Sequence, residues 1–365
     1  MTNLISKIKN ERLNNLINAK KIMILTHTDL DGAGAVVLAK SMMPDKIIDY
    51  RACSNNGMSN AIENYVVNYF DNNDYDFIIA CDISCDKFVA EKIEARSKNK
   101  NHFVLLDHHQ TAKDLNDMYS WAIVTDTMPL DTVLKYNGET NDKISKKHIS
   151  GTGLLFEYLN HMTNCNLAQK RFARLVSDYD TWDWKNTECD DQNCKDLNDL
   201  MYIYSYDNFV DIMIDRCKSD SEIITELDNT LLKIERNRIK NDVDKIIKGV
   251  KTGVANLANA ANRIGKYYSI AIACTDNHIP DVFERMRVDY ADRDILMILT
   301  SSSLSMRTDK PDVNVGEIAK AYGGGGHAAA AGIPIGFEER LEMIENRLGP
   351  DTSIFIEKDT TVSNA

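Results

Sequence analysis

Three places in this chain set acids and imidazoles directly after short apolar runs. Val104-Leu105-Leu106 ends in Asp107-His108-His109, Ile22-Met23-Ile24-Leu25-Thr26 ends in His27-Thr28-Asp29-Leu30-Asp31-Gly32, and Phe77-Ile78-Ile79-Ala80-Cys81 ends in Asp82. A strand delivers such groups at its carboxyl end, where open α/β sheets bind ligands. His27, Asp29 and Asp31 alternate by two, so in an extended segment they share one face. Gly32 lets the chain turn tightly behind them. Carboxylates mixed with imidazoles suit hard or borderline divalent cations, manganese foremost, with magnesium or cobalt as alternatives. The acids outnumber what one ion needs. Two ions about 3.5–4 Å apart, sharing one carboxylate, would use them all; such a pair generates hydroxide near neutral pH and clamps a phosphoryl group.

Each residue also has an ordinary structural use. Asp107-His108-His109 could be a polar loop after a buried strand, and Asp31-Gly32 a plain turn. Asp82 could cap the next helix, with Ser84 competing for that place. Asp178, Asp180 and Asp183 could form a solvated acidic turn. His102 and His148 have no acidic neighbours in sequence and read as structural or exposed. The joint occurrence at three strand ends is what favours a site.

Apolar periodicity supplies the elements that must position these groups. Strands at 21–26, 46–52, 76–81 and 102–106 alternate with helices at 34–43, 59–70 and 87–95, after a first helix over 3–18. That alternation predicts a doubly wound parallel sheet. After a short strand at 121–124 the pattern turns helical, at 154–161 (opened by Gly151-Thr152-Gly153), 168–177 and 207–217, and then in one long helix over 219–248. A second α/β unit begins near Lys266, with strands at 267–273, 294–300 and 304–307 and helices at 280–288, 314–322 and 338–348. The glycines at 323–326 stop a helix. The expected domains are 1–218 with the metal site, a helical connector over 219–264, a smaller α/β domain with a mixed sheet over 265–348, and a tail over 349–365.

A chain of 365 residues can bury two ordinary cores. A net charge of −12 argues against a broad duplex-binding face and leaves room for a short nucleotide in a local pocket. The apolar runs are too short to span a bilayer and no leader opens the chain, so a cytoplasmic protein without a membrane partner is expected. The 8 cysteines, among them Cys81, Cys85, Cys189 and Cys194, form no tight metal pattern and read as reduced thiols.

With these residues in hand, the chain resembles the DHH phosphoesterase family over residues 20–184 and 265–335. It has His-x-Asp-x-Asp-Gly at 27–32, a strand-end Asp82, and Asp-His-His at 107–109. It also has a Ser-x-Arg strand ending at Arg307 and a Gly-Gly-Gly-His run at 324–327, as in that family's associated domain. The fourth motif is embedded in Ser177-Asp178-Tyr179-Asp180-Thr181-Trp182-Asp183-Trp184 and lacks an Asp-Thr-Gly form. Asp178 is preferred there, because Trp182 then falls where an aromatic is expected; Asp180 competes. This form looks like the family's oligoribonuclease branch.

The resemblance implies one manganese held by His27, Asp29 and Asp82, and a second held by Asp31, Asp82, His108 and Asp178, with Asp82 bridging. His109 would face the substrate phosphate as stabiliser or proton donor, and Asp107 would orient the neighbouring imidazole. Gly324, Gly325 and Gly326 would offer backbone N–H groups to a phosphate, with His327 and Arg307 adding charge-assisted bonds. The implied activity is a manganese-dependent phosphodiesterase that releases 5′-mononucleotides from short oligonucleotides (nanoRNA), with chemistry on the first domain and the substrate tail on the second. Cyclic nucleotides, linear dinucleotides and phosphoadenosine phosphate are alternative substrates of the same site. A nucleotide-binding protein without turnover is the alternative of another class. A homodimer is left open.

Overall fold

A computed structural model describes residues 11–54, 57–68, 75–129, 146–183, 193–260 and 265–336. The helix expected at 338–348, the tail, Trp184 and Cys189 lie outside the described residues. The chain divides into two units, Met1–Lys233 and Ile234–Ala365.

In the first unit, helix α1 (Glu11–Asn18) leads into strand β1 (Lys21–His27), helix α2 (Leu30–Met42) and strand β2 (Ile47–Cys53). Helix α3 (Met58–Ile62), extended by a wider turn over Glu63–Asn68, leads to β3 (Phe77–Cys81). Helices α4 (Lys87–Glu94) and α5 (Ser97–Asn101), strand β4 (Phe103–Asp107), helix α6 (Lys113–Met118) and strand β5 (Ala122–Val124) complete a parallel sheet of order β2-β1-β3-β4-β5. Ile22 and Ile24 enter one core, Met23 and Leu25 the other. Strands buried on both faces read as continuous apolar runs for that reason. A small pair, β6 (Thr127–Pro129) and β7 (Lys146–His148), precedes helices α7 (Gly151–Asn160), α8 (Leu167–Asp180), α9 (Asn193–Tyr204) and α10 (Tyr206–Lys218).

This strand order changes direction between β1 and β3. Ligands of doubly wound sheets bind at such a point, outside the carboxyl ends of the strands. His27 ends β1 and Asp82 follows β3, so the topology puts them on either side of it.

The long helix α11 (Glu226–Lys248) starts later than its periodicity suggests. Asp228, fully buried in its first turn, accepts hydrogen bonds from Arg216 (2.7 and 3.2 Å), Tyr204 and Thr225. Burial pushes its carboxyl up, but these bonds outweigh burial and hold it below the ordinary range. An Asp228→Ala exchange leaves the half-buried Arg216 guanidinium without its carboxylate. It is expected to cost about 3–5 kcal/mol, read as a fall in Tm. Because the folded-state value is depressed, the contribution is present near neutral pH and is lost as pH falls through it.

In the second unit, β8 (Lys251–Ala258), β9 (Gly265–Cys274), helix α12 (Ile279–Asp289), β10 (Ile295–Leu299), β11 (Ser303–Arg307), helix α13 (Val315–Ala321), β12 (Gly325–His327) and β13 (Ala330–Pro334) form a mixed sheet of order β12-β13-β11-β10-β9-β8. β9 and β10 are parallel and the other pairs antiparallel. Two expectations change. Helix α4 is capped by Asp86, which accepts from Val89 N at 3.0 Å; Ser84 lies too far upstream. The glycine run does more than stop a helix: Gly325 and Gly326 continue with His327 into an edge strand paired to β13. No helix among the described residues is long and apolar enough to cross a membrane.

Candidate metal centre

The turn after β1 is fixed from its backbone outward. The Thr26 hydroxyl donates to Cys81 O (3.0 Å) and Gly32 O (3.1 Å), tying β1 to β3 and to the turn. Asp29 caps α2, accepting from Gly32 N at 3.0 Å, and its other oxygen lies 2.7 Å from His27 Nδ1. A Cβ on Gly32 would fall 2.1 Å from His27 O, so only glycine closes this turn.

Asp82 takes a left-handed backbone (φ 59°) where β3 ends, and is 2% exposed. Aspartate tolerates that region better than most residues. After β4, Asp107 is fully buried. It accepts from His108 N (2.8 Å), His109 N (3.3 Å) and His109 Nδ1 (2.8 Å). One carboxylate thereby fixes the backbone of both histidines and the imidazole of His109. His108 Nε2 lies 3.2 Å from Asp180, 3.4 Å from Asp82 and 3.9 Å from Asp31.

Asp31 sits on the N-terminus of α7. It accepts from Ser150 Oγ (2.6 Å), Gly151 N (2.7 Å) and Thr152 N (2.9 Å). Exposed N–H groups and the helix dipole both favour a carboxylate there. Ser150 and Thr152 are positioning residues that spacing did not disclose, because they meet Asp31 across more than a hundred residues. The local signal was only a serine before Gly151-Thr152-Gly153, an N-cap sequence.

The fourth acid of the cluster is Asp180, not Asp178. Helix α8 runs on to Asp180 instead of ending near Ser177, which turns Asp178 back against its own helix. There it accepts from Arg174 Nε at 3.1 Å. Asp180, two residues on and at the helix end, reaches His108. In this phase Asp180-Thr181-Trp182 stands in register with an Asp-Thr-Gly form. Trp182 takes the left-handed backbone (φ 63°) that glycine adopts freely. The two acids therefore separate by mutation. Asp180→Asn is expected to lower manganese affinity at least about tenfold and, by removing an acid buried beside Asp31 and Asp29, to raise the Tm of the cation-free protein near neutral pH. Asp178→Asn is expected to lower Tm and keep most of that affinity. Calorimetry with both variants checks this. His148, which has no acid beside it in sequence, has Asp183 at 3.2 Å.

Three sets of donor atoms each lie within 4.8 Å of one another: His27, Asp29 and Asp82; Asp82, Asp107, His108 and His109; and Asp31, His108 and Asp180. Asp82 and His108 link them. Burial, then Asp31 and Asp29, raises the Asp82 carboxyl well above the carboxylate range and pushes Asp180 up to about 8. Asp82 Oδ2, Asp107 Oδ2, Asp180 Oδ2 and His108 Nε2 are buried with no hydrogen-bond partner. Crowded carboxylates and orphaned acceptors cost free energy unless cations complete them. The donor set, carboxylate with imidazole and no thiolate, fits divalent manganese or magnesium. His109 is raised by its bond to Asp107, so its protonated form is favoured.

In the second unit, Arg307, Ala330 and His327 lie on one line across β11, β13 and β12. The run itself is built for close approach. A Cβ on Gly324 would fall 2.1 Å from Gly332 O, one on Gly326 2.5 Å from Ala330 O, and Gly326 has φ 141°. Gly325 has open space where a Cβ would stand.

Residues 21–177 match the family described as "DHH family, N-terminal domain". Over that stretch the chain is similar to the DHH family. Over 318 residues it is 28% identical to oligoribonuclease NrnB of Bacillus subtilis (strain 168), covering 86% of this chain and 72% of that one. A solved structure described as the DHH domain of a member of a family of ribosomal proteins shares the fold. That match has 13% identity and a TM-score of 0.50, and covers 93% of this chain and 89% of that chain.

Proposed function

We propose that this protein is a manganese-dependent phosphodiesterase that removes 5′-mononucleotides from short oligonucleotides. The observation that carries the reading is the cluster of buried, incompletely bonded acids and imidazoles at the sheet's switch point. Its likeness to a protein named oligoribonuclease supports the substrate class. The net charge of −12 suits a short ligand better than a long polyanion.

His27, Asp29 and Asp82 would hold one cation, and Asp31, Asp82, His108 and Asp180 the other. When bound, the cations supply Lewis-acid stabilisation of the phosphoryl oxygens and an activated water. The chain's own residues do the rest. Asp107 keeps His109 in one tautomer, with Nε2 free to donate to the leaving oxygen. The raised His109 keeps that proton available near neutral pH. Ser150, Gly151 and Thr152 fix the direction of the Asp31 carboxylate. In the second unit Arg307 and His327 would hold a substrate phosphate, with Gly325 and Gly326 giving it room and backbone donors; the Gly324 N–H already donates to Ala319 O at 2.9 Å.

The test is a labelled tetranucleotide RNA incubated with the purified protein and manganese. Stepwise release of mononucleotides is expected, with none in the presence of chelator. A tetranucleotide that stays intact through prolonged incubation with excess protein would overturn the reading.

A further inference from the structure

The sheet of the second unit has one half-face without an apolar lid among the described residues. On the β8–β10 half, Val243 of α11 and Val282, Phe283 and Met286 of α12 cover Ala271, Ala273, Leu296 and Ile298. Arg307 is opposite Leu296 in register, so it belongs to that same face. Across β13 and β12 the face continues through Ala330 and His327, and through Gly332 and Gly325 beside them. Besides Arg307 and His327, this part of the floor carries only the small side chains of Ser305 and Ala330.

Two guanidinium groups stand at its rim. Arg307 lies over the Phe283 ring at 5.0 Å. Arg287 is one helical turn beyond Phe283, on the same side of α12, and reaches Asp309, two residues past Arg307, at 3.5 Å. Burial, then the neighbouring charge of Arg287, lowers the pKa of Arg307. No carboxylate lies within 4 Å of the Arg307 nitrogens among the described residues; Nη1 donates to Met306 O. Arg287 Nε is buried with no hydrogen-bond partner, although its outer nitrogens meet Glu284 at 3.1 Å and Asp309. Both of those acids are solvent-exposed, and such pairs hold little.

Two like charges gathered beside a bare floor, one with an orphaned buried donor, lack an anion with several acceptor oxygens. We infer that Arg287 joins Arg307 in clamping a substrate phosphate other than the one being cleaved, so that Arg287 sets a preference for ligands carrying that additional phosphate. Guanidinium forks match phosphate oxygens bidentately. The inference rests on the proposed function only in taking the ligand to be a phosphate ester.

The experiment compares an RNA dinucleotide with and without a 5′-terminal phosphate. Hydrolysis is measured with manganese, and binding is measured by calorimetry on the cation-free protein. The wild type is expected to prefer the 5′-phosphorylated ligand. Arg287→Ala should raise KM and Kd for that ligand about tenfold or more. It should leave the unphosphorylated one within about twofold and kcat unchanged. Arg287→Lys should recover only part of the preference, since an ammonium lacks the fork. Arg285→Ala, on the same helix but paired to Asp244 and Asp289, should change nothing. Equal loss on both ligands, no loss, or a wild type indifferent to the extra phosphate would each overturn the clamp. If neither dinucleotide is cleaved but Arg287→Ala still loses the binding preference, the hydrolytic reading fails and the clamp stands.

Discussion

An Asp82→Asn protein is expected to lose manganese binding and catalysis while its cation-free form becomes more stable. Asparagine keeps the shape and tolerates the left-handed backbone at φ 59°. It removes a buried charge that faces Asp31, Asp29, Asp180 and Asp107. Lewis-acid stabilisation is worth several kcal/mol, and each 1.36 kcal/mol is tenfold in rate, so activity should fall on the order of 10³-fold or more. The opposite signs of the two effects distinguish a functional charge from a structural one. A pH dependence follows. Asp180 is raised from 3.8 to about 8 in the folded chain, so between those values the folded state holds more protons than the unfolded state. Stability of the cation-free protein should therefore fall as pH rises from 4 towards 8. Saturating manganese should abolish that fall, because bound cations replace the protons. A Tm that is flat over this range without cations would contradict the burial of Asp180 among acids.

Gly151→Ala is expected to act against helix propensity. At the first turn of α7, alanine should stabilise the helix by up to about 1 kcal/mol if nothing opposed it. Here the new Cβ would lie 2.8 Å from Asp82 Cβ, 2.9 Å from Asp82 N and 3.0 Å from Asp31 Oδ2. Two of these are parts of a fixed strand end, so α7 must back away. That movement lengthens the bonds from Gly151 N and Thr152 N to Asp31. A loss of about 1–3 kcal/mol in stability is expected from overpacking. A roughly 10–100-fold loss in manganese affinity should accompany it, from a misdirected ligand. An alanine variant with higher Tm and full metal affinity would show that α7 does not carry the site.

The sheet was legible because its strands are buried on both faces and so run apolar without interruption. His27, Asp29, Asp31, Asp82, Asp107, His108 and His109 could be placed near one another because they follow strands, and parallel strands share one carboxyl edge. The choice between Asp178 and Asp180 was not legible in the same way. It turns on where α8 stops, and helix ends are weakly encoded when acids fill the last turn. Arg174, one turn back, was the available signal, since a buried aspartate four residues after an arginine pairs with it. Ser150 and Thr152 escaped because their partner lies on another element. Helix α9 and strand β8 escaped for a local reason: an acidic stretch precedes one, and Gly253 and Asn256 dilute the strand pattern of the other. The glycine run reads as a break by composition, yet Gly324 and Gly326 are there to let β12 lie against β13.

The central claim is that these side chains form one dinuclear cation site. Crystals grown with manganese and measured for anomalous scattering test it most directly. Two peaks about 3.5–4 Å apart are expected, one beside His27 and Asp29, the other beside Asp31, His108 and Asp180, with Asp82 between them. Fully active crystals showing no peak at this strand edge, or a peak bound by Asp178 in place of Asp180, would contradict the account.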